Sequence, residues 1–160
     1  MVTSEEYNKL YQRTLRFLSM RQHTEREMRR YLTRVVSKEK IREEVVEKII
    51  SQLKTDRYID DPKFVRDYID LRSTHKQKGK RGLTFELQKK GIKSTEIDAY
   101  FSNNAVDEHK LAGAALKKVW ERYNNLNRLK RYQKASQFLL RRGFSYEIIR
   151  KTIEEFEESE

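Results

Sequence analysis

The sequence predicts an all-α protein, an elongated tandem array of three three-helix repeats with about nine helices. Three observations carry that expectation. Of 160 residues only 36% are apolar and 38% are charged, which suits amphipathic helices, because each needs only a narrow apolar stripe. One proline and five glycines leave little material for the many tight turns of an all-β fold. The chain also repeats itself: LQKKGIKSTEIDAYF (87–101) and LLRRGFSYEIIRKTI (139–153) share a leucine, two bases, a glycine, an apolar residue and a serine-started helix. Their glycines, Gly91 and Gly143, stand 52 positions apart. A degenerate copy, YLTRVVSKEKIREEVVEKI (31–49), has valine in the glycine's place and a longer third helix. Such repeats stack so that each unit contacts mainly its neighbour.

The elements follow in order. Tyr7, Tyr11, Leu15 and Leu18 recur at helical spacing and predict a first helix over about 5–20. Thr24 and Glu27 form a capping box opening a second, striped by Met28, Leu32 and Val35. Ser37 is the expected cap of a third, with Ile41, Val45, Ile49 and Leu53 inward. Asp60-Asp61-Pro62 opens the next unit, Asp61 accepting first-turn amides and Pro62 taking the first helical position. Phe64, Tyr68, Ile69 and Leu71 give that helix its core face. A basic loop, HKQKGKRG (75–82), leads to a short helix with Leu83 and Leu87 inward and Gly91 as left-handed C-cap. Ser94 caps a sixth helix carrying Ile97, Tyr100 and Phe101. In the last unit Ala112, Ala115, Leu116, Val119 and Tyr123 mark one helix, and Leu129, Tyr132, Ala135 and Leu139 the next. Ser145 caps the final one, with Ile148, Ile149, Ile153 and Phe156 inward. The expected units are 1–59, 60–104 and 105–160, the third with an acidic end.

Charge narrows the function. The net charge is +11, yet five of the 25 acids lie within the last seven residues, EEFEESE. The remainder holds 36 bases against 20 acids, so an acidic partner is expected: nucleic acid, or a protein filament built on it. Cysteine is absent, which excludes disulfides, thiolate ligands and a thiol nucleophile. The histidines His23, His75 and His109 have no metal-ligand spacing, and no phosphate-cradling glycine motif occurs. No cofactor, no metal and no enzymatic activity are therefore expected. No apolar run approaches a membrane span and no signal-peptide core follows Met1, predicting a soluble, cytoplasmic protein.

FLSMRQHTEREMRRYL (17–32), YIDDPKFVRDYI (58–69) and KGKRGLTFELQKKGI (78–92) together resemble the RecX family of regulatory proteins. Phe17, Leu18, Arg21, Thr24, Glu27 and Leu32 carry the first part of the resemblance. Asp60, Asp61, Phe64, Tyr68, Gly79, Glu86, Leu87, Lys90, Gly91 and Ile92 carry the second. Gly82 and the Thr84-Phe85 pair depart from positions that are more often basic. The resemblance implies tandem three-helix repeats lying in the groove of the RecA recombinase filament on single-stranded DNA, inhibiting its extension, ATP hydrolysis, strand exchange and co-protease activity. Double-stranded DNA is a further partner to consider, and a monomer is expected. Candidate filament- and DNA-binding residues are Arg21, Arg26, Arg29 and Arg30, the loop residues Lys78, Lys80 and Arg81, and behind them Lys89, Lys90, Arg141 and Arg142. The rival readings are an autonomous basic helical DNA-binding regulator and a protein-only scaffold. The Lys-Lys and Arg-Arg pairs also suit helix C-termini electrostatically, and core packing accounts for most of the tyrosines.

Overall fold

The computed structural model describes residues 4–159. Among them are nine α-helices and one 3-10 turn, with no strand: α1 (Ser4–Leu18), α2 (Glu25–Glu39), α3 (Glu44–Thr55), α4 (Asp61–Lys76), α5 (Lys80–Lys89), α6 (Ser94–Asn103), α7 (Glu108–Lys117), the 3-10 turn Trp120–Tyr123, α8 (Arg128–Arg141) and α9 (Tyr146–Glu158). Among the described residues no helix is long and apolar enough to cross a membrane. Three separate apolar cores follow the chain: Met28, Leu32, Ile49 and Leu53 lie in the first, Val65, Leu83, Leu87 and Ile97 in the second, and Ala115, Leu116, Leu139, Phe144 and Ile153 in the third. The accessible surface is 10854 Å², against about 8,500 Å² for a compact globule of this mass. Three small cores in a row leave that extra surface exposed, which is what elongation requires.

Local chemistry fixes the helix ends. Thr24 accepts from the Glu27 amide at 3.2 Å while the Glu27 carboxylate accepts from the Thr24 amide at 3.2 Å, the expected capping box. Ser145 caps α9, accepting from the Ile148 amide at 3.4 Å. Other caps differ from expectation. Asp60, not Asp61, caps α4, accepting from the Lys63 amide at 2.8 Å. Lys93 rather than Ser94 is the N-cap of α6. Ser37 lies inside α2, which runs on until Lys40 turns left-handed at φ 56°. The Ile41 amide then donates back to the Val36 carbonyl at 2.9 Å.

That closure recurs. Ile92 donates to Leu87 and Phe144 to Leu139 across Gly91 (φ 86°) and Gly143 (φ 83°). The first unit's counterpart of these glycines is thus Lys40, and Val36 stands where the others have leucine. Three further expectations are corrected. The 16-residue α4 outruns the 10-residue α5 and α6, about 24 Å against 15 Å, so Leu71 overhangs the core and is 56% exposed. α7 ends at Lys117, and Val119 and Tyr123 follow outside it, Tyr123 closing the 3-10 turn that buries Trp120. Leu129, in the first turn of α8, projects into solvent at 68% exposure, ahead of the buried Ala135 and Leu139.

Candidate nucleic-acid interface

The middle helices α2, α5 and α8 meet head to tail. At the first joint the Thr24 hydroxyl, at the start of α2, donates at 2.7 Å to the carbonyl of Lys90, the residue before the left-handed Gly91. At the second joint the Gly79 amide, at the start of α5, donates at 3.0 Å to the carbonyl of Arg142, the residue before the left-handed Gly143. A carboxylate completes each joint. Asp61 accepts from the first helical amide of α2, Glu25 N, at 2.9 Å, and Glu108 accepts from the first helical amide of α5, Lys80 N, at 2.8 Å. Both acids sit at the first position of their helices, α4 and α7. Amides that a helix start leaves unpaired are therefore satisfied by the next unit. Burial raises the Asp61 carboxyl above its usual range, although the Glu25 amide works against that rise.

The joints explain the glycines. A Cβ on Gly79 would run into the Gly143 carbonyl and the Phe144 Cα, and one on Gly82 into the Arg142 carbonyl. A Cβ on Gly143 would strike the Gly82 amide nitrogen and Cα. Gly79 and Gly82 thus let two backbones touch. The left-handed residue between α4 and α5 is Gln77 (φ 42°), and the loop is shorter than HKQKGKRG suggested, because Lys80, Arg81 and Gly82 already belong to α5.

The candidate cations divide by what they touch. Arg29 is bound to Glu25 at 2.8 Å and forked onto Glu47, and the Glu47 and Glu25 bonds push its guanidinium pKa upward. Lys78 is held by Glu86, which also accepts from the Tyr68 hydroxyl at 2.9 Å and lies 3.4 Å from Arg72. Burial acts to raise the Glu86 carboxyl, but Lys78, Tyr68 and Arg72 outweigh it and hold it below the ordinary range. Lys90 lies 3.6 Å from Glu27 and 5.7 Å from the Phe64 and Tyr68 ring centres. Arg142 donates to the Lys76 carbonyl and lies 4.6 Å from the Phe138 ring centre, its pKa lowered by burial. Arg21 pairs with Glu27 at 3.0 Å. These five residues fasten the fold.

Arg26, Arg30, Lys80, Arg81, Lys89 and Arg141 are exposed and make no ion pair among the described residues. The head-to-tail joints bring them toward one row, except Lys80, whose ammonium lies 4.9 Å from the Phe101 ring centre. The Arg26 side chain lies directly over Gly91 beside Lys89, and the Arg81 backbone lies against Gly143 beside Arg141. Counted back from each left-handed cap, Arg30, Arg34 and Lys38 of α2 correspond to Arg81, Phe85 and Lys89 of α5, and to Gln133, Gln137 and Arg141 of α8. All nine are exposed, on the side away from the buried residues. Arg34, Lys38 and Phe85 stand outside the candidate set. The signal that finds them is the four-residue step from Arg30 and Arg81, read together with the repeat.

In the second and third units charge is sorted by helix type. α8 carries five bases and no acid, and α5 three bases and one acid. α6 carries two acids and no base, and α9 five acids against two bases. Among the described residues no cluster of His, Cys, Asp or Glu has metal-binding proximity. A cleft of about 550 Å³ at the first joint is lined by charges that largely pair with one another, such as Lys54 with Glu25 at 2.5 Å.

Comparison with known proteins agrees in sequence and in fold. The family description "RecX, third three-helix domain" matches residues 107–153. A regulatory protein RecX of Cronobacter sakazakii is 32% identical over 165 residues, covering 94% of this chain and 94% of the relative. A regulatory protein RecX of Bacillus cytotoxicus is 29% identical over 97% of this chain but only 56% of its own length. The chain thus spans about half the length of that relative and of those from Geobacillus thermodenitrificans and Streptococcus pyogenes. The crystal structure of RecX from Lactobacillus salivarius superposes with a TM-score of 0.84 at 24% identity, over 97% of this chain and 99% of that one, which shows a common fold. A second RecX crystal structure gives 0.77 at 27% identity, covering 92% of this chain and 71% of that chain.

Proposed function

The chain belongs to the RecX family of regulatory proteins, and on that premise we propose that it binds the RecA recombinase filament on single-stranded DNA and restrains it. Filament extension, ATP hydrolysis, strand exchange and co-protease activity are all lowered, so that recombination, repair and the SOS response are held in check. It acts in the cytoplasm, as a monomer, through three units bounded near 1–59, 60–104 and 105–160. The observation that carries this reading is the exposed row along α2, α5 and α8, six of whose nine positions are bases without an ion pair among the described residues. A long narrow acidic groove is matched by a long narrow basic ridge, and linked units gain affinity because each later engagement is intramolecular.

Charge placement weighs against an autonomous helix-turn-helix regulator. In such folds the helix following the turn enters the major groove with its N-terminal residues against the bases. Here the third helices of the second and third units, α6 and α9, are acidic on balance, and the starts of α2 and α5 are occupied by the joints.

The test is single-stranded-DNA-dependent ATP hydrolysis by the cognate recombinase, titrated with this protein. Inhibition well below one copy per recombinase supports filament capping or groove occupation. Arg30→Glu, Arg81→Glu and Arg141→Glu combined should abolish that inhibition while leaving the helical spectrum unchanged, since all three side chains are exposed and unpaired. Full inhibition by the triple variant would remove the ridge from the mechanism. No inhibition by the folded wild-type protein would remove the function.

A further inference from the structure

Three of the nine row positions are not basic, Phe85, Gln133 and Gln137, and only Phe85 is aromatic. Phe85 occupies the position that Arg34 holds in α2 and Gln137 in α8, six residues before the left-handed cap. Its ring is 58% exposed, on the side of α5 away from the buried Leu83 and Leu87. Arg81 and Lys89 stand one helical turn before and after it, and the Lys89 ammonium lies 4.4 Å from the ring centre. A lone exposed phenylalanine is ordinary. An exposed phenylalanine between two unpaired cations, midway along a basic row, combines the two elements by which proteins hold single-stranded nucleic acid: cations along the backbone and an aromatic face for a base.

We propose that Phe85 is a base-stacking residue for single-stranded nucleic acid. Lys89 covers one face of the ring and supplies charge to a neighbouring phosphate, and the other face receives an unpaired base. The aromatic belongs to the middle unit alone: the corresponding α8 position is glutamine and the α2 position is arginine. One base is therefore gripped at the centre of the row while the flanking units follow the backbone. This inference rests on the reading that the basic row faces nucleic acid, and it is measured without recombinase, so its failure leaves the inhibition result standing.

The experiment uses the full chain with two probes, an oligothymidylate and a deoxyribose-phosphate oligomer of the same length without bases. Phe85→Ala should weaken oligothymidylate binding about 5- to 150-fold, with an unchanged salt slope because no charge is removed. On the baseless oligomer Phe85→Ala and wild type should bind alike. Phe85→Trp should retain binding, and its added indole should be quenched by oligothymidylate while the buried Trp120 (6% exposed) should not respond. Tyr58→Ala and Tyr146→Ala, at exposed aromatics outside the row, should bind as wild type. Equal binding of Phe85→Ala and wild type to oligothymidylate overturns the proposal, as does a deficit that persists on the baseless oligomer. Unchanged DNA binding with weakened recombinase inhibition also overturns it, assigning the ring to a protein contact.

Discussion

Gly91→Ala and Gly143→Ala introduce the same methyl group into the same left-handed position of homologous turns, yet Gly143→Ala should cost more. Both positions have φ near 85°, and holding alanine there costs about 1–2 kcal/mol. Beyond that the surroundings decide. Around Gly91 the overlapping atoms are the Cβ, Cγ and Cδ of Arg26: Cγ and Cδ can rotate away, while the Cβ moves only with the α2 backbone, so the first joint must loosen slightly. Around Gly143 they are the amide nitrogen and Cα of Gly82, backbone atoms that can withdraw only if the joint opens. Opening it releases the Gly79–Arg142 and Lys80–Glu108 hydrogen bonds, at about 1 kcal/mol for the neutral bond and about 2 kcal/mol for the charged one. Gly143→Ala should therefore destabilise by about 4–5 kcal/mol, and Gly91→Ala by about 2–3 kcal/mol, the left-handed strain plus the weakened Thr24–Lys90 bond. Urea unfolding followed by helical circular dichroism and by the fluorescence of Trp120, which packs in the third core, reads both. In Gly143→Ala the fluorescence transition should precede the circular dichroism transition, because the third unit has lost its neighbour. Equal midpoint shifts for the two variants would refute the backbone-contact reasoning.

Gly113 lies inside α7, with only a phenylalanine carbon of Phe156 near its would-be Cβ, at 4.0 Å; Gly113→Ala should raise stability by about 0.5–1 kcal/mol in the same titration. Thr24→Ala removes both a cap and the joint bond to Lys90 and should cost about 2 kcal/mol, whereas Ser145→Ala, which loses a cap alone, should cost about 1 kcal/mol. Asp61 has a raised folded pKa, so its titration contributes stability that is complete below its unfolded pKa and is lost as pH rises through the folded pKa. Asp61→Asn keeps an acceptor for Glu25 N and should match or exceed wild-type stability at neutral pH, while Asp61→Ala should cost about 1–2 kcal/mol in urea unfolding. Glu86 has the opposite sign: its lowered pKa contributes stability above the unfolded value that is lost as pH falls through the folded one. Glu86→Gln should cost about 2 kcal/mol at neutral pH and reduce the loss of stability on acidification, seen in midpoints measured from neutral to acid pH.

The architecture was legible because each repeat spells its own end. Lys-Lys-Gly-Ile and Arg-Arg-Gly-Phe state a left-handed stop and an apolar residue packing back, and Thr24-Arg26-Glu27 states a start. Where residue type does not match geometry, reading failed: Lys40 adopts the glycine conformation without being glycine, and Ser37 has a cap's chemistry in the middle of a turn. The joints were illegible, because no local pattern announces that Asp61 will pair with an amide 36 positions away or that Gly82 exists for Gly143. The candidate interface was half legible. Basic residues are visible in sequence, but those held by an acid, such as Arg29 and Lys78, differ from free ones, such as Arg30 and Arg81, only in the contacts folding gives them.

The joints also set an order of assembly on the ribosome. The start of α2 is made early, yet the Lys90 carbonyl and the Asp61 carboxylate that satisfy it are made later, and the start of α5 waits likewise for Arg142 and Glu108. At ordinary synthesis rates the interval between successive caps is about 3–10 s. During that time a nascent unit exposes open amides and an unfinished seam. The starts of α2 and α5 are completed by the following unit, so a chain interrupted after the second unit leaves α5 with an open start while α2 is already secured.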